Sequence, residues 1–377
     1  MKKVLILRSN PVSADPRVSK IADILKEKFI VEILAWDRNC EYPEIEEKNN
    51  IIINRIHIKG NYGIGLKNFF NSFKWIIYLF FNLLFRNDYD YIHACDFDTY
   101  FPSIIVAKIK RKKIVYDIFD YYSDMIRNIP NFLRSIIKFT DNFLMNFSNC
   151  IILPDENRIN QIKGIKNKKI LIIPNSPPDY YYKYYENIKK TKENKEFVLG
   201  YIGLLRKDRG LDYLIEIIKN FEDVQLILGG YGEKSYELTL IDKIKDLKNV
   251  KFLGKVEPYS KTLEILSNCD VLLALYDPSI PNNRYASPNK IFEAMMLGKP
   301  IIVSKNTSME RYIEKYNIGY VVEYNNQEEL KDLICNLYNL KKNGAFDNFE
   351  KNCRETYEKF FCYEKIKNKF LNLYSSL

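Results

Sequence analysis

Along most of the chain, short apolar runs rich in β-branched residues alternate with stretches whose apolar residues recur every three or four positions. Runs at 3–7, 30–35, 91–94, 114–116, 150–153 and 170–173 have the length and composition of strands. Helical periods lie between them, as at 18–28, where Ile21, Ile24 and Leu25 share one face. Such a strand–helix rhythm predicts a parallel sheet covered by helices on both sides. It stops after Pro177-Pro178, where a tyrosine-rich stretch (180–185) leads into a polar, charged one (187–196). Two prolines and no hydrophobic period mark a linker. Its tyrosines either pack between domains or sandwich a base or sugar.

A second series follows, with strands expected at 197–202, 224–228, 250–253, 271–275, 300–303 and 320–322. Helices fit at 211–220, 260–266 and 289–297, and the chain closes on helical segments at 327–339 and 357–374. The expected fold is α/β: two doubly wound, Rossmann-like domains, 1–180 and 197–350, joined by a linker at 181–196. The last segment, 351–377, is a candidate to pack back on the first domain. Ligands of such sheets bind at the carboxyl ends of strands, so a cleft between facing domains is the expected active site.

Composition narrows the class. With 377 residues, 46% hydrophobic and 28% charged, there is material for two cores, and a disordered or collagen-like chain is excluded. Net charge is +10, from 58 basic and 48 acidic residues, which suits an anionic partner. The seven cysteines form no CxxC pair and lie near no histidine at metal-ligand spacing, so neither a zinc site nor a disulfide framework is expected. The first residues read as a strand and not as a signal peptide, giving an expected cytoplasmic location. Phe69–Phe85 is very apolar but too interrupted to span a bilayer. It reads either as a helix buried on the sheet or as an amphipathic helix on the inner face of a membrane, which makes an anionic membrane surface a candidate partner.

Three places carry chemistry. In the run from Tyr285 to Pro300, Ser287 is expected to cap a helix with Pro288 at its first position. The free amides of that turn suit a pyrophosphate. Glu293 lies inside the helix, where a carboxylate could take two hydrogen bonds from a ribose diol, and Gly298 closes it. A strand is expected to end at Gly203, followed by a short loop with Arg206 and Arg209, whose guanidinium forks match phosphate oxygens. A third glycine loop, Gly229-Gly230-Tyr231-Gly232, follows the next strand.

Together these residues resemble the GT-B retaining glycosyltransferases of family 4 (glycosyl transferases group 1). The order is Asp15-Pro16-Arg17, His93-Ala-Cys-Asp96, Asp117-Ile-Phe-Asp120, Pro174-Asn175, Gly203 to Gly210, Gly230-Tyr231-Gly232 and Ser287-Pro288-Asn289-Lys290 with Glu293, Gly298 and Pro300. The resemblance covers essentially the whole chain. It implies transfer of a sugar from a nucleotide-diphosphate sugar, UDP or GDP, to a hydroxyl of a glycan or lipid-linked acceptor, with retention, no metal and no cofactor. It places Arg209 at the diphosphate and Glu293 at the nucleotide ribose. The donor set it implies is Gly203, Arg206, Arg209, Gly230, Tyr231, Ser287, Pro288, Asn289, Lys290 and Glu293. Asp15, Arg17, His93, Asp96 and Asp120 fall on the acceptor side, and Arg209, Glu293 and Asp120 are the catalytic candidates.

Two positions depart from the family. A glutamate that often contacts the donor sugar is replaced by Tyr285, so sugar contacts are expected from backbone amides around 286–289. A frequent histidine is replaced by Phe119, which leaves the general base unassigned. His93 reads equally well as a core residue or a substrate contact. Three other readings remain open: a nucleotide-sugar epimerase of the same architecture, a non-catalytic nucleotide-sugar-binding relative, and a nucleic-acid partner, for which no motif is present.

Overall fold

The computed structural model describes residues 1–13, 15–60, 69–126, 129–162, 164–165, 169–193, 196–343 and 347–377. The chain divides into two compact units, residues 1–174 with 366–377, and residues 175–365.

In the first unit the order is β1 (Lys3–Arg8), α1 (Pro16–Leu25), β2 (Ile30–Asp37), β3 (Ile45–Lys48), β4 (Ile51–His57), α2 (Phe69–Phe85), β5 (Tyr91–Cys95) and α3 (Phe97–Ile109). Then come β6 (Lys113–Asp117), α4 (Tyr122–Met125), α5 (Asn131–Met145), β7 (Cys150–Leu153) and β8 (Ile170–Ile172). The strands lie in the order β3-β4-β2-β1-β5-β6-β7-β8, all parallel except β3 against β4. Apolar runs such as Val4–Leu7 are buried on both faces, which is why they lack alternation. The edge pair β3 and β4 was not among the expected strands. β3 reads Ile-Glu-Glu-Lys, with almost no apolar signal, because it is an exposed edge.

The second unit contains α6 (Tyr185–Glu193), β9 (Phe197–Leu205), α7 (Leu211–Ile218), β10 (Val224–Gly232), α8 (Lys234–Ile244), β11 (Val250–Phe252), α9 (Tyr259–Ser267) and β12 (Val271–Ala274). It continues with α10 (Pro281–Arg284), α11 (Asn289–Leu297), β13 (Ile301–Ser304), α12 (Glu310–Tyr316), β14 (Gly319–Val322), α13 (Gln327–Lys342) and α14 (Asp347–Thr356). Its sheet is wholly parallel, in the order β11-β10-β9-β12-β13-β14. The tyrosine-rich stretch is helical here: Tyr184 and Ile188 enter the core beside Leu263 and Leu266. After α14 the helix widens to a π turn at Tyr357–Phe361 and breaks at Cys362, whose backbone is extended. α15 (Tyr363–Ser375) then follows, and its residues from 366 onward belong to the first unit.

Both sheets reverse strand order once, between β1 and β5 in the first and between β9 and β12 in the second. A crevice opens outside the carboxyl ends of strands at such a reversal. The residues singled out by sequence gather at these two points.

Candidate active site

In the second unit the carboxyl end of β9 leads into a short 3₁₀ turn, Lys207–Arg209, then Gly210 and α7. Arg209 is 8% exposed and donates from Nη1 to Asn283 Oδ1 at 2.6 Å. Its guanidinium lies 3.9 Å from the centroid of the Tyr276 ring, just past β12. Arg206 donates to Asp208 Oδ2 at 2.6 Å, and Asn283 Nδ2 donates to the same oxygen at 3.3 Å. The turn is therefore braced across the strand reversal, with Asp208 and Asn283 fixing both arginines.

α11 begins at Asn289, with Pro288 at the cap in an extended conformation (ψ 153°). This corrects the expected start by one residue: Pro288 is the cap and not the first helical residue, and the Ser287 hydroxyl is not at the capping position. Its carbonyl accepts from Asn175 Nδ2 at 2.8 Å, which ties the loop before the helix to the segment after β8. The amides of the first turn stay directed outward from α11, as an anion site requires. Gly298 ends α11 at φ 68°, where a side chain would be strained.

Lys290 and Glu293 lie on one side of α11. Glu293, 4% exposed, accepts from the Tyr259 hydroxyl at 2.7 Å. Lys290 donates to the Ile202 carbonyl, with its ammonium 4.6 Å from the Tyr201 ring centroid. Burial pushes Lys290 down to about 8, opposed by Glu293 and assisted by Arg209. Burial raises Glu293 from its ordinary value, opposed by Lys290 and by the Tyr259 hydrogen bond. Both groups are held short of full solvation, and an anionic ligand beside Lys290 would favour its charged form.

The glycines are strand residues, and not the loops expected from sequence. β9 continues through Gly203 to Leu205, and β10 runs through Gly229–Gly232, with Gly203 paired to Gly230. A Cβ on Gly230, at φ 135°, would overlap the Gly203 carbonyl. A Cβ on Gly203 would strike the Lys290 ammonium. These glycines let two backbones and a lysine meet where a ligand would lie. Tyr231, between them, is 52% exposed.

In the first unit, Arg8 at the end of β1 donates from Nε to Asp15 at 2.8 Å and from Nη1 to Asp96. Asp15 caps α1, accepting from the Val18 amide at 3.1 Å. Burial raises its pKa, but Arg8 and Asn10 more than reverse this, so it is lowered overall. Asp96 occupies a backbone region that is essentially glycine-only, φ 65° and ψ 168°. Its Oδ1 accepts from the amides of Phe119 at 2.8 Å and Asp120 at 3.3 Å. Burial pushes Asp96 up to about 6, opposed by Arg8. With three donors on its oxygens, we read it as an ionised anchor of the loop after β6. Arg8 and Arg17 both cover the Phe119 ring, at 4.1 and 5.0 Å.

Arg17 pairs with Asp117 at 2.7 Å and donates to the Ile173 carbonyl at 3.0 Å. His93, fully buried, lies between Asp117 Oδ2 (3.3 Å) and the Tyr374 hydroxyl (2.7 Å). That placement makes His93 a core residue. Asp120 has a half-exposed side chain that accepts from Arg158 at 2.7 Å. Sequence reading missed Tyr276, Asn283, Tyr259 and Asp208. Tyr276 directly follows an apolar strand, the position at which ligand contacts concentrate in such sheets, and was within reach of that rule. Asn283 and Tyr259 act through contacts distant in sequence and left no local signal, whereas Asp208 lies between the two arginines it helps to hold and was within local reach.

Residues 185–358 match the family model of glycosyl transferases group 1. The second unit is a group 1 glycosyltransferase domain. A relative described as an uncharacterized glycosyltransferase of Methanocaldococcus jannaschii is 25% identical over 311 residues, 81% of this chain and 79% of its own. An uncharacterized 41.2 kDa protein in the cps region of Klebsiella pneumoniae is 22% identical over 308 residues, 77% of this chain and 80% of its own. Among solved structures, sucrose-phosphate synthase from Thermosynechococcus elongatus superposes with TM-score 0.76 at 14% identity, covering 100% of this chain and 99% of that one. The Anabaena protein HepE in complex with UDP and glucose gives 0.74 at 17%, covering 100% of both. At these identities the structural likeness gives the fold, GT-B, over the whole chain. The protein is a glycosyltransferase.

Proposed function

We propose that this glycosyltransferase moves a hexose from a UDP- or GDP-sugar to a hydroxyl of a glycan or lipid-linked acceptor, with retention and without a metal. The observation that carries the reading is the convergence of Arg209, Lys290, Glu293 and the amino end of α11 at the strand reversal of the second sheet. An anion held there meets two cations and a helix terminus, the combination that stabilises a leaving diphosphate. Cationic side chains at the diphosphate do the work a divalent ion does elsewhere, which is the ground for metal independence. Glu293, fixed by Tyr259, offers its second oxygen to a ribose diol. UDP is the favoured nucleotide, supported by the solved structures of HepE with UDP-glucose and of the Escherichia coli trehalose-6-phosphate protein with UDP-2-fluoro glucose. The Klebsiella relative's place in a cps region favours a glycan acceptor.

Retention with no assigned base is consistent with the leaving diphosphate itself accepting the proton of the incoming hydroxyl on the same face of the sugar. The chain's contribution is then positioning and charge stabilisation. Thermal shift with UDP, GDP, ADP, CMP and dTDP, with and without EDTA, tests the reading. One diphosphate at a hundredfold excess over Kd should stabilise by about 2.7 kcal/mol, unchanged by EDTA. Glu293→Ala should remove most of that shift. No shift with any nucleotide, or a shift abolished by EDTA, would overturn the site or its metal independence respectively.

A further inference from the structure

The first unit presents an outer surface that a water-facing fold does not explain. α2, α3 and α5 cover the same face of the first sheet and feed a single core, with Trp75, Leu79 and Leu83 from α2, Tyr100 and Ile104 from α3, and Met145 from α5. α3 packs against both of the others. The three therefore form one layer with a common outward side.

That side is apolar. The inward residues of α2 recur at 75, 79 and 83. Phe73, Ile77, Phe81 and Phe85 are offset by two positions, on the opposite side of the helix, and are 40–76% exposed. A helix on a soluble surface places polar residues there. α5 repeats the pattern: Phe132, Ile136, Phe139 and Phe143 recur at three- and four-residue spacing, all more than half exposed. Ile105 and Ile109 of α3 are exposed between them, and Lys108 of α3 lies 6.0 Å from the ring of Phe147, just past α5. The stripes of α3 and α5 thus meet, Phe147 in turn packing on Phe143.

Charge on this layer has one sign. The carboxylates of the three helices are Asp98 and Asp141, and both are buried. The cations of the three helices are Lys74, Lys108, Arg134 and Lys138. An aromatic face edged by lysines, with no exposed acid within the three helices, matches a bilayer whose headgroups are anionic. It fits a protein partner less well, because the cores of protein interfaces are depleted in lysine. No described helix is long and apolar enough to cross a membrane. The 17-residue α2, about 25 Å long, is suited to lie flat.

We propose that the outward faces of α2, α3 and α5 together form a docking surface for an anionic lipid bilayer. The surface reaches well beyond the one apolar helix evident in sequence and does not depend on the reaction assigned to the second unit.

Sedimentation of the full chain with phosphatidylcholine vesicles containing about a third phosphatidylglycerol, against phosphatidylcholine alone, tests it. Binding should favour the anionic vesicles and weaken between about 50 and about 500 mM salt. Phe139→Glu with Phe143→Glu, on α5 alone, should lower vesicle affinity about tenfold or more. Lys74→Glu with Lys138→Glu should remove the preference for anionic lipid. These positions are at the surface, and an unchanged melting temperature verifies folding in each variant. Failure of the wild-type chain to sediment at low salt overturns the proposal, as does wild-type binding by the α5 variant. A wild-type dimer that the α5 variant converts to monomer, with no vesicle binding, would assign the surface to a second copy instead.

Discussion

Lys290 faces opposing demands: burial disfavours its charge, Glu293 favours it, and Arg209 repels it. With its pKa at about 8 in the free protein, the ammonium is present below pH 8 and lost as pH rises through that value. A diphosphate needs the cation, so kcat/KM for the donor should fall on the alkaline side with a pKa near 8, while kcat holds to higher pH because bound diphosphate stabilises the charge. A pH–rate profile of wild type against Lys290→Met checks this. The variant should bind donor at least about tenfold more weakly and lack that alkaline limb. An unaltered limb in the variant would remove Lys290 from the diphosphate. Sequence made this residue visible through its place in Ser287-Pro288-Asn289-Lys290, but not its state. Its state depends on Tyr201, Ile202 and Arg209, which come from another strand and turn. Gly203 and Gly230 show the same limit: each was visible as a glycine near a strand end, but only their pairing shows that both lie within strands.

At the scale of elements, hydrophobic period located nearly every buried strand to within a few residues, because parallel strands are apolar throughout and helices carry a stripe. It failed at β3, at its neighbour β4, whose alternate residues are buried, and within the last helical segment. β3 is an exposed edge, and the expected single helix at 357–374 is interrupted at Cys362 with neither glycine nor proline to mark the break. It also cannot supply the tertiary capping that closes α2. Lys110, just after α3, donates from Nζ to the carbonyls of Leu83 at 3.2 Å and Leu84 at 2.9 Å, and to that of Arg86. The first two are among the last carbonyls of α2 and the third directly follows it, and α2 has no basic residue of its own in its final turn. Lys110→Met keeps most of the aliphatic stem and removes the donors. It should cost about 1 kcal/mol, seen as a lower melting temperature. Hydrogen exchange should quicken at the end of α2 before it does in α3. Equal loss of protection in both helices would mean that the contact joins them without capping either.

At the scale of the whole molecule, the first unit is discontinuous in sequence, since it takes in residues 366–377. Tyr374 is one of the residues, with Phe370 and Leu373, through which α15 enters its core. The ring is 1% exposed and packs on Phe29, Tyr91 and His93, with centroids 5.7, 5.6 and 6.3 Å away. Asp117, held as a carboxylate by Arg17, can only accept and so takes the His93 Nε2 proton, which assigns Nδ1 as acceptor from the Tyr374 hydroxyl. Asp117 in turn holds Arg17, whose guanidinium reaches the Ile173 carbonyl at the end of β8. The end of the chain is thereby connected to the sheet through buried polar groups, each dependent on the next. Tyr374→Phe preserves the packing and removes one hydroxyl, leaving His93 Nδ1 buried without its donor. Such a loss costs about 1–3 kcal/mol. The effect should be confined to one unit: amide protection should fall in β1, β5 and β6 while β9 and β10 keep theirs. Protection lost equally in both sheets would mean that the two units unfold as one, and unchanged protection would mean that the hydroxyl adds nothing beyond the ring.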